Sequence, residues 1–249
     1  VISQTLGAIS IVFIVARRLG ITTSLQLSEA RRLLRIGGDL FIRTGSLTFF
    51  LLLATRVANA AGVEAGAAHQ AIRQFWIFTT LGLDALAITA QSLVGYFTGS
   101  DWVAQARRVA AYACGWGVAM GIVISIVMAF GRQLAADLLV PPTAHALFFL
   151  PWLAALLVQP INSLAFVTDG IHWGTGDFAY LRNAVLLATL IGSLLLLTVD
   201  TSAQNALFWV WAATVIWIVI RAIQGVLRIW PGIGRAPLAR GACAGLDLL

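Results

Sequence analysis

Lysine is absent from this 249-residue sequence, and only 10% of the residues are charged. Soluble domains carry about 25% charged residues, because a water-facing surface requires them. Hydrophobic residues instead make up 60% of the chain, and the mean hydropathy is +0.91. The scarcity of charge excludes a disordered chain and an ordinary cytosolic domain. It predicts a membrane protein with several spanning helices.

Cysteine is also scarce, and the common catalytic motifs are absent. The two cysteines, Cys114 and Cys243, lie far apart and fit no disulfide scaffold or metal-ligand spacing. The sequence contains no phosphate-binding glycine loop, serine nucleophile elbow or paired-histidine zinc motif. We therefore expect no enzyme activity, no metal and no cofactor. The chain starts at Val1 without a charged signal-peptide segment, so we interpret it as part of a longer chain.

All 16 basic residues are arginines, and they lie between apolar runs. No arginine run stands beside aromatic residues, so we expect no nucleic-acid partner. The arginines instead indicate membrane topology, because cytoplasmic loops are enriched in basic residues. The expected cytoplasmic set is Arg17, Arg18, Arg31, Arg32, Arg35, Arg107, Arg108, Arg182, Arg228, Arg235 and Arg240, and the opposite set is Arg56, Arg73 and Arg132. This distribution predicts a cytoplasmic C-terminus.

The apolar runs predict an all-α, polytopic helical bundle with one partial and six full transmembrane helices. A full span needs about 20 residues. Residues 1–20 are predicted to be the end of a spanning helix, and residues 21–36 a cytoplasmic amphipathic linker. A six-helix lobe at 37–231 and a cytoplasmic tail at 232–249 follow. The six spans are predicted near 40–60, 67–97, 108–130, 146–171, 183–199 and 206–229.

Polar residues inside the third predicted span form a stripe. Thr80 and Gln91 lie within roughly 40° of Asp84 around a helix. Charged residues inside a span usually face the bundle interior or a water-filled cavity. The stripe indicates either one wall of a transport cavity or a packing surface that bonds to neighbouring helices.

The fifth predicted span is interrupted by two prolines, Pro151 and Pro160. Pro160 frees a backbone carbonyl in the middle of the membrane, with Gln159 and Asn162 beside it. Asn162 and Asp169 are seven residues apart and share a helix face. A broken helix with carboxamides and a carboxylate is typical of ion or substrate sites. Alternatively, Asp169 lies at the cytoplasmic interface and pairs with Arg182.

Spacings within single helices predict two further kinds of contact. Asp39 and Arg43 are four residues apart, which favours an ion pair inside one helix. Glycines four residues apart favour close approach of two helices. Such pairs occur at Gly117 and Gly121 and at Gly170 and Gly174.

Two stretches resemble multidrug and toxic compound extrusion (MATE) transporters, most closely their DinF-like branch. Residues 68–101 resemble the eighth helix and the loop after it, through His69-Gln70, the segment 84–87, the segment 91–95 and Thr98-Gly99-Ser100-Asp101. Residues 159–170 resemble the tenth helix, and the second span resembles the seventh.

This resemblance implies twelve helices in two lobes, of which this chain would supply the end of helix six and the whole C-terminal lobe. Members of the family exchange cationic or amphipathic compounds for protons or sodium ions by alternating access. Asp169 would be the acidic residue of the tenth helix. The partners would be membrane lipids, a small organic substrate and the missing N-terminal lobe. The arginine-only, alanine-rich composition favours a bacterial cytoplasmic membrane.

Two alternatives stay open at this point. One is a lipid-linked oligosaccharide flippase of the same superfamily, in which we expect more cationic residues in the cavity. The other is a half-size membrane subunit that does not transport by itself.

Overall fold

The computed structural model describes residues 2–20, 27–234 and 236–239. The chain divides into two compact units, Val1–Gly38 and Asp39–Leu249. Helix α1 (Ile2–Leu19) lies in the first unit and ends on Arg17 and Arg18. The second unit holds the helical bundle described below.

Long apolar helices make up most of the chain. The first three are α2 (Leu27–Ala60), α3 (Val63–Gly99) and α4 (Val103–Phe130), and the short α5 (Arg132–Leu139) follows. Next come α6 (His145–Leu157), α7 (Gln159–Gly174), α8 (Phe178–Leu197) and α9 (Ala206–Ile229), with single 3-10 turns at Pro142–Ala144 and Pro237–Ala239. Helices α2, α3, α4, α8 and α9 are long and apolar enough to cross a membrane. The bent α6–α7 pair meets the same criterion when it is counted as one span. The described residues thus hold five to six apolar helices of spanning length, and the predicted all-α membrane bundle is confirmed.

One boundary differs from that predicted. Helix α2 begins at Leu27, so residues 27–36 of the expected linker are the first turns of the second spanning helix. The change from an amphipathic to an apolar pattern suggested a boundary near residue 36. In the structure both patterns lie on one continuous helix, so the change in pattern does not mark a helix end. Residues 21–26 of that linker and Cys243 in the expected tail lie outside the described residues.

The predicted break near Pro160 falls at Val158, between α6 and α7. The predicted interruption at Pro151 is wrong, because Pro151 lies inside α6. The two helices meet at an angle of 47°. Proline has no backbone N–H and therefore cannot complete the helical ladder. The carbonyl of Leu156, four residues earlier, accepts a hydrogen bond from the Ser125 hydroxyl of α4 at 2.6 Å. A neighbouring helix thus satisfies the group that proline leaves free.

Glycines allow α7 to pack tightly against two neighbours, as their spacing predicted. A Cβ on Gly170 would lie 2.2 Å from the carbonyl oxygen of Ala87 in α3, and one on Gly174 would lie 2.5 Å from that of Gln91. On the α4 side, a Cβ on Gly121 would lie 2.5 Å from the Cα of Pro160. Backbones therefore meet directly at these contacts, which is how small residues stabilise helix pairs in membranes.

We predict that Gly170→Ala lowers the stability of the bundle by about 3 kcal/mol, because the new methyl group meets rigid backbone. The thermal unfolding midpoint of the purified protein in detergent measures this loss. Gly115→Ala is the matched control, because Gly115 has open space around its Cβ position. An equal midpoint for the two variants would show that the α3–α7 contact does not depend on glycine.

Candidate functional site

An open cavity of about 520 Å³ lies among α2, α3, α7 and α9. Its walls combine apolar and aromatic side chains with six polar or charged ones. The polar and charged lining residues are Arg43, Thr80, Asp84, Gln91, Asp169 and Arg221. The sequence singled out Thr80, Asp84, Gln91 and Asp169, and the structure brings these four residues to one cavity.

Asp169 is buried between two arginines from other helices. Arg43 of α2 donates a hydrogen bond from Nη2 to Oδ2 of Asp169 at 2.5 Å. Arg221 of α9 donates from Nη2 to the same oxygen at 2.7 Å. Asp169 is 7% exposed and Arg221 is 4% exposed. One carboxylate therefore ties α2, α7 and α9 together at the edge of the cavity.

Both guanidinium groups also lie over aromatic rings. Arg43 lies over the ring of Trp173 at 5.7 Å, and Arg221 lies over Trp217 at 4.8 Å. Trp217 in turn stacks on Phe50 of α2 with ring centroids 4.4 Å apart. Cations are attracted to aromatic faces, most strongly to tryptophan. The arginines are thus fixed by a carboxylate and by the aromatic wall.

Asp84 occupies the cavity in a different way. Its side chain is exposed, and among the described residues no hydrogen bond or ion pair is found for it. Thr80, one turn earlier, donates its hydroxyl hydrogen bond to its own helix, to the Ile77 carbonyl at 2.7 Å. The stripe on α3 therefore lines open space instead of bonding to neighbouring helices, which favours the cavity-wall interpretation.

The carboxamides beside the break lie outside the cavity. Gln159 and Asn162 are fully buried. Asn162 Nδ2 donates to Gln159 Oε1 at 3.3 Å, and Gln159 Nε2 contacts the sulfur of Met128 at 3.6 Å. The shared face of Asn162 and Asp169 does not bring both side chains to the cavity. In this structure Gln159, Asn162 and Pro160 belong to the packing of the helix break.

The predicted ion pair between Asp39 and Arg43 is wrong. Arg43 pairs with Asp169, and Asp39 accepts a hydrogen bond from Arg182 of α8. The alternative partner proposed for Asp169, Arg182, is therefore also wrong. Pairs between helices replace the pair within one helix, because each links two spans and is partly shielded from water.

Arg221 and Arg43 are the site residues that sequence reasoning missed. Arg221 is a charged residue inside the apolar run of α9, and such a residue usually marks a functional site or a buried partner. That signal was available. The identity of its partner was not, because Arg221 and Arg43 are 52 and 126 positions away from Asp169.

No group of three or more potential metal ligands among histidine, cysteine, aspartate and glutamate occurs within the part of the chain that the structure describes. The lining of the cavity is ionic and aromatic, with two arginines, two aspartates and three tryptophans, of which Asp84 is exposed and Asp169, Arg221, Trp76 and Trp217 are largely buried.

Comparison with known proteins identifies the family. Residues 41–198 match the MatE family, so the chain belongs to it. Protein DETOXIFICATION 43 of Arabidopsis thaliana is 30% identical over 213 residues, covering 84% of this chain and 40% of that protein. Protein DETOXIFICATION 44, chloroplastic, of the same plant is 29% identical over 212 residues, covering 84% and 40%. The chain thus spans about 40% of the length of these relatives.

Solved structures share the fold. A MOP superfamily transporter from Pyrococcus furiosus, described as having a binding pocket of reverse polarity, superposes with a TM-score of 0.72 at 18% identity. An outward-facing multidrug resistance MATE family transporter superposes equally well. Each match covers 79% of this chain and 44% of the other. The chain is therefore a multi-pass membrane protein of the MatE family that shares its fold with these transporter structures.

We predict that Asp169→Asn destabilises the protein by about 3 kcal/mol, because it leaves two partly or fully buried guanidinium groups without their anion. Thermal unfolding in detergent measures the effect. Asp137→Asn is the control, since Asp137 is exposed and bonds only to Gln133 on its own short helix. A change at Asp169 no larger than at Asp137 would show that the two arginines do not need this carboxylate.

Proposed function

We propose that this chain is the C-terminal lobe of a cation-coupled antiporter that exports drugs or other small organic compounds by alternating access. One observation carries the proposal. An open cavity with two carboxylates lies between helices that span the membrane, in a chain that belongs to a transporter family. Intramembrane carboxylates that face such a cavity are typical of substrate and ion pathways.

The lobe assignment is supported by length and topology. The chain covers 40–44% of the relatives and solved structures described above, and its described residues hold five to six helices of spanning length. Many transporters consist of two similar bundles with the substrate site between them. The partners we propose are an N-terminal lobe, membrane lipids and the transported compound. Sequencing the gene upstream of Val1 tests this, because six further spans in frame are expected.

The coupling ion we propose is a proton or a sodium ion that competes with the substrate for a carboxylate. An ionised carboxylate attracts a cation, and the protonated form releases it. The aromatic wall suits amphipathic compounds, because Trp76 and Trp173 offer large apolar faces beside the charges. Proton and sodium coupling differ in which gradient drives export, so each is tested separately.

We also propose the DinF-like branch and a bacterial cytoplasmic membrane with a cytoplasmic C-terminus. The motifs at 84–95, 98–101 and 159–170 support the branch. The composition and the uneven arginine distribution support the location and the orientation. Reporter fusions at the C-terminus test the orientation, because alkaline phosphatase is active only outside the cytoplasm.

A flippase for lipid-linked oligosaccharides is the second candidate, and the arginines of the cavity favour it. Arg43 and Arg221 line the cavity, where an anionic pyrophosphate group could bind them. Against this, both guanidinium groups already pair with Asp169. A half-size subunit is the third candidate, and a start codon just before Val1 would support it.

We predict that the complete gene product, reconstituted in proteoliposomes, moves ethidium against its gradient when a proton or sodium gradient is imposed. The movement should stop when an ionophore removes the driving gradient. Parallel vesicles with only one of the two gradients identify the coupling ion. Ethidium movement that is equal with and without both gradients would contradict antiport. Movement of a lipid-linked sugar without ethidium transport would favour the flippase.

A further inference from the structure

The two carboxylates of the cavity differ in their environment. Asp169 is buried and shares one oxygen between two guanidinium groups. Asp84 is exposed to the cavity, and no ion pair is found for it among the described residues. A carboxylate held by two arginines stays ionised, because each nearby positive charge favours its charged form. Only Asp84 is therefore free to gain or lose a proton without breaking an existing contact.

This difference makes the charge of the cavity depend on one residue. The charged lining residues are Arg43, Arg221, Asp169 and Asp84. With both carboxylates ionised the two positive and two negative charges cancel. With Asp84 protonated the cavity carries one net positive charge. Inside a low-dielectric bundle a single unbalanced charge acts strongly on a bound ion.

Other charged groups near Asp84 do not change this net charge of the cavity lining. Arg43 of α2 lines the same cavity as Asp84 and is already included in the count. Arg73, on the same helix, lies eleven residues away, about 16 Å along the axis. Arg107 of α4 donates hydrogen bonds to the backbone carbonyls of Leu238 and Trp230. Arg108 of α4 and His145 of α6 do not line the cavity. His172 of α7 lines a separate, smaller pocket behind Asp169.

We propose that Asp84 is the specificity-determining residue of the cavity, and that its protonation decides which ligand charge the cavity accepts. The proposal rests on the antiport function proposed above and adds a division of roles. Asp169 is the fixed counter-ion that holds the helices together. Asp84 is the exchangeable site: it binds an organic cation when ionised, and a proton from water replaces that cation.

The test compares two probes of the same shape and opposite charge. Tetraphenylphosphonium is a cation and tetraphenylborate is its anionic analogue. Equilibrium binding of each to the complete gene product in detergent micelles, corrected with protein-free micelles, is measured across a range of pH. The variants are Asp84→Asn, Asp84→Glu and the control Glu64→Gln, which removes one carboxylate from the exposed first turn of the same helix.

The expected results follow from the charge of the cavity. Wild-type affinity for tetraphenylphosphonium should rise with pH, because deprotonation of Asp84 removes the net positive charge. Asp84→Asn should weaken cation binding about tenfold or more, strengthen tetraphenylborate binding and remove the pH dependence. Asp84→Glu should restore the wild-type pattern, and Glu64→Gln should match the wild type. Equal unfolding midpoints for wild type and Asp84→Asn will show that the effect is not a folding defect.

Different failures overturn different statements. If the wild type binds the cation with a pH dependence that Asp84→Asn retains, the role of Asp84 is wrong while the proposed antiport function stands. If the wild type binds neither probe and no gradient drives transport, the proposed function is wrong and this proposal is wrong with it.

Discussion

The buried contact between Asp169 and the guanidinium groups of Arg43 and Arg221 is the interaction on which the bundle depends most. It joins three helices that are far apart in sequence, at a depth where an unpaired charge is costly. The stacking of Arg221 over Trp217, and of Trp217 on Phe50, extends the same contact into the apolar core. The edge of the cavity is therefore rigid because its charges satisfy one another.

That rigidity changes how the carboxylates of the cavity are understood. From sequence, Asp169 was the natural coupling residue, since it lies in the stretch that resembles the tenth helix of the family. Its two arginine partners give it a structural role in this conformation. The open position of Asp84, near the middle of α3, leaves it as the acidic group that a ligand or a proton can reach. The buried, paired carboxylate and the exposed one thus lie on different helices, α7 and α3.

Hydropathy and helix spacing were sufficient to predict the fold and part of the site. The spanning helices, the break before Pro160 and the close glycine contacts follow from local rules about apolar length, a missing N–H and a missing side chain. The partners of the charges did not follow, because ion pairs between helices depend on which faces meet. The local rule that paired Asp39 with Arg43 therefore failed, and the role of Arg221 was not recognised. The side chains of Gln159 and Asn162 hydrogen-bond within the packing of the helix break and do not line the cavity.

The glycine contacts of α7 also determine how closely α7 lies against α3. Where Gly170 and Gly174 meet the carbonyls of Ala87 and Gln91, the two helices have no side chains between them that could change rotamer to absorb sliding. Helices α3 and α7 are therefore spaced by their backbones at these points. Asp84 lies on α3 and Asp169 on α7, so the same contact sets how far apart the two carboxylates of the cavity lie.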